Sequence, residues 1–314
     1  MKRAMVVGAS GQDGTYLTQA LVARGYLVLG IDLRNTCCSD GTPTPQVDIA
    51  RPDQVAGVVR SFAPDEIYYL AAYHHSAEDA ELNDPASIWT RSHATHVEGL
   101  LHFLEAQRLS APASRLFYAA SSLIFGECSV SPQTEETPFN PRCIYGITKT
   151  TGVHLCRLYR RQYAVFASVG IMYNHESHLR PARFLSRKIV RAALRAKAHQ
   201  ELELVVGDLA AEVDWGYAPD YVDAASRILQ LPAPDDFIVA TGETHRVQDW
   251  VEIAFGKLGL DWRKHVREDT STITRRGRGL VGDSGKLRRM TGWRPTLSFA
   301  GMVSEMLRLE EATS

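Results

Sequence analysis

Two ionisable side chains four residues apart are the first feature of this sequence that could do chemistry. Tyr145 and Lys149 occur in Tyr145-Gly146-Ile147-Thr148-Lys149, and on a helix both would project from one face. We expect the Lys149 ammonium to favour phenolate and lower the pKa of Tyr145 from about 10 toward 7, which needs about 4 kcal/mol of differential stabilisation. An amphipathic tyrosine beside a surface lysine has the same spacing, so the pair alone is not specific.

A hydroxyl group at the end of an apolar run completes a candidate catalytic set. The run Leu116–Ser121 (LFYAAS) predicts a buried strand that ends at Ser121 and is followed by Ser122. Ser121 could donate a hydrogen bond to the same substrate oxygen that Tyr145 protonates. Ser121, Tyr145 and Lys149 together could move a proton on or off a carbinol oxygen while a hydride passes to or from nicotinamide.

A glycine-rich loop predicts where such a nicotinamide cofactor would bind. The loop Gly8-Ala9-Ser10-Gly11-Gln12-Asp13-Gly14 follows the apolar run Ala4–Val7 and precedes a helical pattern. Glycines allow close approach of a pyrophosphate, and the helix N-terminus offers free N–H groups. The alternative is a plain strand-to-helix turn. The predicted cofactor contacts in the loop are Gly8, Ser10, Gly11, Gln12, Asp13 and Gly14. Tyr145 and Lys149 are also expected to contact the cofactor, Lys149 at the nicotinamide ribose.

Charged residues near the ends of the next predicted elements bear on the choice of cofactor. Asp32 ends the second strand, where a carboxylate can accept hydrogen bonds from the adenosine ribose and would repel a 2′-phosphate. This favours NAD, although Arg34 could serve the 2′-phosphate of NADP instead. Asp48 stands where a second carboxylate could meet the adenine, and a helix N-cap is an equal alternative for it.

The elements that must position these residues alternate between strands and helices. Strands are predicted at 4–8, 26–32, 65–71, 116–121 and 164–173, and helices at 11–24, 52–61, 92–108 and 145–163. Such alternation indicates an α/β fold, a Rossmann-type doubly wound parallel sheet. We predict an NAD(P)-binding domain over residues 1–173 and a smaller substrate-binding lobe over 174–314, in which segments near 213–242 could return to the first domain.

Composition excludes several other classes of protein. The 314 residues are 45% hydrophobic, and 35 Lys and Arg residues nearly balance 36 Asp and Glu residues. This predicts a folded protein without a general electrostatic affinity for nucleic acid or membranes. The five cysteines form no C-x-x-C pair, so we expect reduced thiols, no metal site and a cytoplasmic location. No apolar run reaches the length of a membrane span, and the N-terminus does not resemble a signal peptide.

Motifs spread over nearly the whole chain carry a family resemblance. The sequence resembles the extended short-chain dehydrogenase/reductases that modify nucleotide sugars, and within them the GDP-mannose 4,6-dehydratases. The matching segments are GASGQDGTYL (8–17), LAA (70–72), YGITK (145–149), YNHES (173–177), RKI (187–189), DWGYAPDYVDA (214–224), ATGETH (240–245) and GWRP (292–295).

The resemblance implies roles for further residues and a mode of assembly. Leu70, Ala71 and Ala72 would line the cofactor site. The nucleotide sugar would contact residues in both lobes, namely Ser122, Leu123, His75, Asn174, Lys188 and Arg278. It also implies a homodimer or homotetramer, and helices 92–108 and 145–163 could form the two-fold helix bundle.

The sequence departs from the dehydratase pattern at the position of an acid/base. Aligned on Gly126, Leu123 replaces the glutamate that takes part in removing water across C5–C6, and Leu123 cannot move a proton. Losing a positioned acid/base typically costs about 10² to 10⁴ in rate. His74 or His75 could substitute for it, although a histidine hydrogen-bonded in a loop is the plainer interpretation. Glu127 is a weaker candidate that we expect to face solvent.

The functional expectation is an NAD(P)-dependent enzyme that acts on a nucleotide sugar, with a GDP-linked sugar as the first expectation and hydride transfer at C4 as in a 4,6-dehydratase. A C4 keto-sugar reductase or epimerase is the alternative, because Ser121-Ser122 without the glutamate is similar to those enzymes. A non-catalytic NAD(P)-binding protein is the alternative from another class. Binding alone would not require the tyrosine–lysine pair, which argues against this last alternative.

Overall fold

The computed structural model describes residues 1–74, 84–198, 203–272 and 279–313. The candidate substrate contacts His75 and Arg278 lie outside the described residues. The other candidate site residues lie within these ranges.

A seven-stranded sheet forms the larger part of the fold. Its strand order is β10-β6-β5-β4-β1-β2-β3, and every pairing is parallel except the antiparallel β2–β3 pair. The strands are β1 (Arg3–Val7), β2 (Leu27–Ile31), β3 (Thr36–Cys38), β4 (Glu66–Tyr69), β5 (Arg115–Ser121), β6 (Ala167–Met172) and β10 (Asp236–Val239). This Rossmann-like α/β sheet confirms the predicted fold class.

Helices supply the crossovers that a parallel sheet requires. They are α1 (Gln12–Ala23), α2 (Pro52–Phe62), α3 (Pro85–His93), α4 (Gly99–Ser110), α5 (Ile144–Tyr163) and α7 (Ala218–Ile228). The strands read as nearly continuous apolar runs because helices cover both of their faces, and β4 and β6 are buried throughout.

Two smaller sheets and the remaining helices follow in the second half of the chain. The short strands are β7 (Asn174–Glu176), β8 (Leu204–Val206), β9 (Glu212–Tyr217), β11 (Thr244–Arg246) and β12 (Val266–Glu268), ordered β11-β9-β7 and β12-β8. The helices are α6 (Leu185–Ala198), α8 (Val247–Lys257), α9 (Gly285–Thr291) and α10 (Phe299–Thr313).

Two hydrophobic clusters define the interior. The larger one surrounds the seven-stranded sheet, including β10, and also contains residues of α7 and Trp293. The smaller one gathers apolar side chains of α6, α8 and α10, with Trp250 and Met306 fully buried. Chain from beyond residue 174 therefore contributes to both clusters. In the described residues, no helix combines the length and apolarity that crossing a membrane would need.

The structure confirms that residues 92–108 are helical, and the helical stretch extends over residues 85–110. The segment begins earlier, at Pro85, where the Asp84 side chain accepts a hydrogen bond from Ala86 N–H and caps α3. A π-helical turn over Ala94–Glu98 then separates α3 from α4. The spacing of the apolar residues predicted a helix but not this turn within it, because the spacing on either side of one inserted residue stays helical.

Candidate active site

The glycine loop lies at the carboxyl edge of the sheet, between β1 and α1. Gly8 has φ +91°, and a Cβ there would lie 2.8 Å from the backbone nitrogen of Ala71, at the end of β4. A Cβ on Gly14 would lie 2.2 Å from the carbonyl oxygen of Gly8. Both positions exclude a side chain, because the backbones of the loop, α1 and the segment after β4 approach closely. Gly11 is the N-cap of α1 and has extended backbone, so the first N–H groups of the helix lie beside the loop.

The structure brings Asp32 next to this loop. Its Oδ2 accepts a hydrogen bond from Ser10 N–H at 3.0 Å, and its Oδ1 accepts one from Leu33 N–H at 2.8 Å. Arg34 is exposed on the following turn. The exposed Asp48 accepts a hydrogen bond from Ala50 N–H in a turn that precedes α2.

A short 3₁₀ turn after β5 places the candidate hydroxyl group. Ser121 ends β5, and its Oγ accepts a hydrogen bond from Leu123 N–H at 3.2 Å at the start of the Ser122–Ile124 turn. Ser122 is buried and Leu123 is half-buried. A Cβ on Gly146 would lie 2.5 Å from the carbonyl oxygen of Leu123, so this turn packs directly against the first turn of α5.

The candidate tyrosine and lysine both lie on the buried face of α5. The Lys149 Nζ donates a hydrogen bond to the carbonyl oxygen of Ala119 in β5 at 2.7 Å, and it lies 5.7 Å from the centre of the Tyr145 ring. This contact holds the ammonium end of the side chain against the strand that carries Ser121. The helix therefore places Lys149 against β5 and Tyr145 beside Lys149.

The expected lowering of the Tyr145 pKa was wrong for this structure. Burial raises the pKa of the Tyr145 phenol, and the Asp13 charge adds to that effect while Arg180 opposes it. Burial also lowers the pKa of Lys149 to about 7. The lysine is therefore not a permanent cation in this environment, because a low-dielectric surrounding disfavours the charged form of both groups.

A buried histidine that the sequence patterns did not single out joins three elements beside Tyr145. His96 lies in the π-helical turn, where its Nε2 accepts a hydrogen bond from Tyr73 N–H at 2.9 Å. The proton must then be on Nδ1, which lies 2.8 Å from the Thr148 Oγ1 of α5. Its ring packs edge-on against Tyr145, with the ring centres 5.0 Å apart. No local pattern predicted this role, since the partners lie 23 and 52 residues away.

His74 also packs against the Tyr145 ring. Its ring centre is 5.0 Å from that of Tyr145 and 5.1 Å from that of Phe184. Arg183 Nη2 donates a hydrogen bond to the carbonyl oxygen of His74 at 3.2 Å. Glu127 is exposed and pairs with Arg142 at 3.0 Å, away from this cluster of rings.

The expected substrate residues of the second lobe have different surroundings. Asn174 begins β7 and is exposed, and Lys188 is half-buried in α6. Two arginines near these residues form internal ion pairs: Arg180 pairs with Glu176 at 3.2 Å and Arg187 with Glu310 at 2.8 Å.

Gln12 and Asp13 of the glycine loop contact the segment that follows β6. Gln12 Nε2 donates a hydrogen bond to the carbonyl oxygen of His175 at 3.1 Å, and Ser177 Oγ donates one to Gln12 Oε1 at 2.7 Å. Asp13 Oδ2 lies 2.9 Å from His175 Nε2. Both side chains therefore serve the packing of the loop, whereas the sequence predicted only cofactor contact for them.

The fold and these groups define a short-chain dehydrogenase/reductase, with a glycine loop at one end of a parallel sheet and a serine, tyrosine and lysine set beside it. The family described as GDP-mannose 4,6 dehydratase matches residues 5–306. The chain belongs to that family.

Individual relatives agree with this assignment over almost the entire chain. The chain is 35% identical to GDP-mannose 4,6 dehydratase 1 of Arabidopsis thaliana, covering 98% of this chain and 89% of the relative. It is 31% identical to GDP-mannose 4,6-dehydratase of Sinorhizobium fredii (strain HH103), covering 98% of this chain and 96% of the relative.

Solved structures show the same fold at lower identity. RMD from Pseudomonas aeruginosa complexed with NADPH has a TM-score of 0.85 at 22% identity, with 100% of both chains covered. UDP-glucose 4-epimerase from Thermotoga maritima, solved with UDP-glucose, has a TM-score of 0.85 at 18% identity, with 99% of both chains covered.

Proposed function

We propose that this chain is an NAD(P)-dependent enzyme that oxidises or reduces C4 of a GDP-linked hexose. The observation that carries the proposal is the packing of β5 and the Ser121 turn against α5. The turn contacts the helix at Gly146, and Lys149, on the same face of α5 as Tyr145, donates a hydrogen bond to Ala119 of β5. The curated relatives named above are GDP-mannose dehydratases, which supports the GDP-linked sugar.

The glycine loop fits a dinucleotide. A side chain at Gly8 or Gly14 would fill the space against Ala71 and Ala9, and the N-terminus of α1 beside Gly11 offers N–H groups to a diphosphate. Asp32 and Ser10 lie where the adenosine ribose would bind, and a carboxylate there favours NAD over NADP, with Arg34 as the residue that could serve NADP. Leu70, Ala71 and Ala72 would line the same cleft. A bound nicotinamide would supply or accept the hydride.

The side chains around C4 would handle the proton. Tyr145 would give a proton to the C4 oxygen or take one from it, and the Ser121 hydroxyl would donate a hydrogen bond to the same oxygen. Lys149, whose pKa is about 7, can hold or release a proton near neutral pH. The buried surroundings of Tyr145 exclude competing water from the proton transfer.

The sugar nucleotide would lie between this site and the second lobe. Asn174 and Lys188 are the proposed contacts there, and Ser122 and Leu123 would face the sugar. Arg183 is exposed and stands beside His74 and Phe184, so its guanidinium is a further group that a diphosphate could reach. The division into a cofactor domain over 1–173 and a substrate lobe over 174–314 is part of this proposal.

A C4 keto-sugar reductase or epimerase is the second candidate, and Leu123 is the observation that favours it. The chain after β5 has no acid or base at that position, so elimination across C5–C6 would need another group. Of the two histidines suggested by the sequence, His74 is the one that the structure describes, and its ring lies beside that of Tyr145. A dehydratase and a reductase share hydride transfer at C4, and only the dehydratase then eliminates water.

The product distinguishes these functions. We expect a C4-modified sugar when the purified chain is incubated with GDP-mannose, with and without NADH. The products are separated by chromatography before mass spectrometry, because an epimer has the same mass as its substrate. Loss of one water without added NADH would establish a dehydratase. The reductase is tested with a GDP-linked 4-keto sugar, which should gain two hydrogens only when NADH is present. No conversion of either substrate with NADH or NADPH would contradict the proposed function.

Tyr145→Phe tests the role of the phenol. Because only the hydroxyl group is lost, we expect the turnover rate to fall by about 10² to 10⁴, with NADH affinity nearly unchanged. The rate is measured by product formation and the affinity by fluorescence titration. A matched loss of cofactor affinity would contradict the catalytic assignment and indicate a binding role.

We also propose that the chain forms a homodimer or homotetramer through its long helices. Ile147 on α5 and Trp89 on α3 are 40% and 42% exposed although both are large and apolar. Such side chains on neighbouring helices are suited to a two-fold helix bundle. Light scattering after size-exclusion chromatography measures the mass, and a monomer at micromolar concentration would contradict this assembly.

A further inference from the structure

A buried histidine of β7 contacts the glycine loop through Asp13 and Gln12. His175 is 9% exposed, and its ring is stacked on Tyr221 of α7 with 4.5 Å between ring centres. Its Nδ1 lies 2.6 Å from the carbonyl oxygen of Tyr173, and its Nε2 lies 2.9 Å from Asp13 Oδ2. Asp13 is in the first turn of α1.

These contacts determine the charge of the His175 ring. A carbonyl oxygen only accepts hydrogen bonds, so Nδ1 carries a proton. The Asp13 carboxylate also only accepts, so Nε2 carries a second proton, and the ring is an imidazolium. Burial opposes this charge, yet the attraction of Asp13 and the hydrogen bond to it raise the pKa of His175. Burial by itself would raise the pKa of Asp13, but the charge of His175 and the hydrogen bond to it lower that pKa.

The Asp13 charge matters because of where it lies. A carboxylate in the first turn of α1 opposes the positive end of the helix dipole, which is the feature that attracts a diphosphate. The field of Asp13 also reaches the proposed catalytic pair, since it raises the pKa of Tyr145 and of Lys149. An unpaired Asp13 would therefore weaken anion binding at the loop.

We propose that His175 is the counter-charge of Asp13, a positioning residue that keeps the N-terminus of α1 able to bind the cofactor diphosphate. The inference rests on the proposed dinucleotide site and extends it to a residue outside the glycine loop. Because Asn174 precedes His175 on β7, the same contact joins the cofactor loop to the strand that carries a proposed substrate residue.

The pair has a defined dependence on pH. Besides Asp13, the groups that face His175 are Arg180 and the stacked Tyr221. Arg180 stays charged, and Tyr221, whose pKa is raised by burial, stays neutral. Raising the pH through the folded pKa of His175 therefore removes its charge and leaves Asp13 uncompensated. NADH affinity should fall on the alkaline side.

Three variants separate charge from packing, with NADH binding measured by fluorescence titration. His175→Gln leaves a buried unpaired carboxylate, and we expect NADH affinity at pH 8 to fall at least tenfold and to recover toward pH 5. Asp13→Asn/His175→Gln removes both charges and should recover most of the affinity that His175→Gln loses. Asp13→Asn should lose the alkaline fall. Ser177→Ala, which removes a neutral hydrogen bond to Gln12, serves as the matched control with a change of about twofold.

The outcomes distinguish this inference from the proposed function. If the wild type binds neither NADH nor NADPH, the proposed function fails and the inference falls with it. Two results would overturn only the counter-charge role while the wild type still binds NADH. One is a double variant that binds NADH as weakly as His175→Gln does. The other is a His175→Gln variant that binds NADH as tightly as the wild type. Circular dichroism tests whether each variant is folded. In ¹⁵N NMR spectra at pH 7.5, the His175 imidazole should be protonated on both nitrogens in the wild type. This doubly protonated signal should be absent from Asp13→Asn.

Discussion

At the scale of single residues, the buried amine of Lys149 controls how stability depends on pH. Its folded pKa is about 7, below the ordinary value of 10.5, so between these values the unfolded chain binds the extra proton and the stability of the fold rises with pH. The destabilisation is complete below pH 7. We therefore expect Lys149→Met to raise the free energy of unfolding at pH 6 by a few kcal/mol, at about 1.4 kcal/mol per pKa unit, and by much less near pH 10.

Urea unfolding at several pH values measures this effect. Lys197→Met is the matched control, because the Lys197 side chain is 50% exposed and pairs only at the surface with Glu311. Its stability should change by less than about 0.5 kcal/mol at every pH. An equal gain in both variants, or a Lys149→Met gain that does not depend on pH, would contradict the low pKa.

At the scale of elements, His96 connects the π-helical turn between α3 and α4 to neighbouring parts of the fold. The imidazole joins this turn to the segment after β4 and to α5, and it is fully buried. His96→Leu would leave the Tyr73 N–H and the Thr148 hydroxyl without this partner. We expect a loss of about 1–3 kcal/mol in the free energy of unfolding, the cost of an unsatisfied buried polar group.

The neighbouring His93 is a suitable comparison for that measurement. It lies at the end of α3, with 36% of its side chain exposed and a contact to Glu98 at 3.4 Å. His93→Leu should stay within about 0.5 kcal/mol of the wild type in chemical denaturation. Equal effects at the two positions would show that the bridge formed by His96 contributes little.

At the scale of the whole molecule, an ion pair attaches the second half of the chain to the sheet of the first half. Asp236 begins β10, which completes the sheet beside β6, and its carboxylate accepts hydrogen bonds from Arg157 and Arg160 of α5 at 2.6 Å each. The Asp236 side chain is 5% exposed. Asp236→Ala leaves two guanidinium groups without their carboxylate partner, although Arg160 keeps its hydrogen bond to the carbonyl oxygen of Ala167. We expect a loss of about 2–4 kcal/mol in unfolding free energy.

The adjacent aspartate provides the control for that prediction. Asp235 is half exposed and pairs with Lys286 at 2.6 Å, so Asp235→Ala should cost no more than about 1 kcal/mol in the same thermal and urea unfolding experiments. A larger loss for Asp235→Ala than for Asp236→Ala would contradict the view that the buried pair holds β10 in place.

The strands and helices that depend on residues close together in the chain could be predicted from the sequence. The strand and helix on either side of the Gly8–Gly14 loop follow from an apolar run and a helical period, and the structure has both within one residue of the predicted ends. The short β3 strand was missed, since three residues carry too little periodicity to reveal an edge strand. The α5 helix begins one residue before the predicted Tyr145 because Cys143 caps it, with its sulfur accepting a hydrogen bond from Gly146 N–H.

By itself, the sequence determined the class of fold, the family and the local order of the candidate groups, because a glycine loop between strand and helix and a Tyr-x-x-x-Lys spacing depend on residues close in the chain. Only the tertiary structure decided the ionisation of Tyr145 and Lys149, the place of His96 and the pairing of Asp13 with His175. Each of these depends on burial or on a partner dozens of residues away or more. A dielectric environment and a long-range contact exist only once the chain has folded.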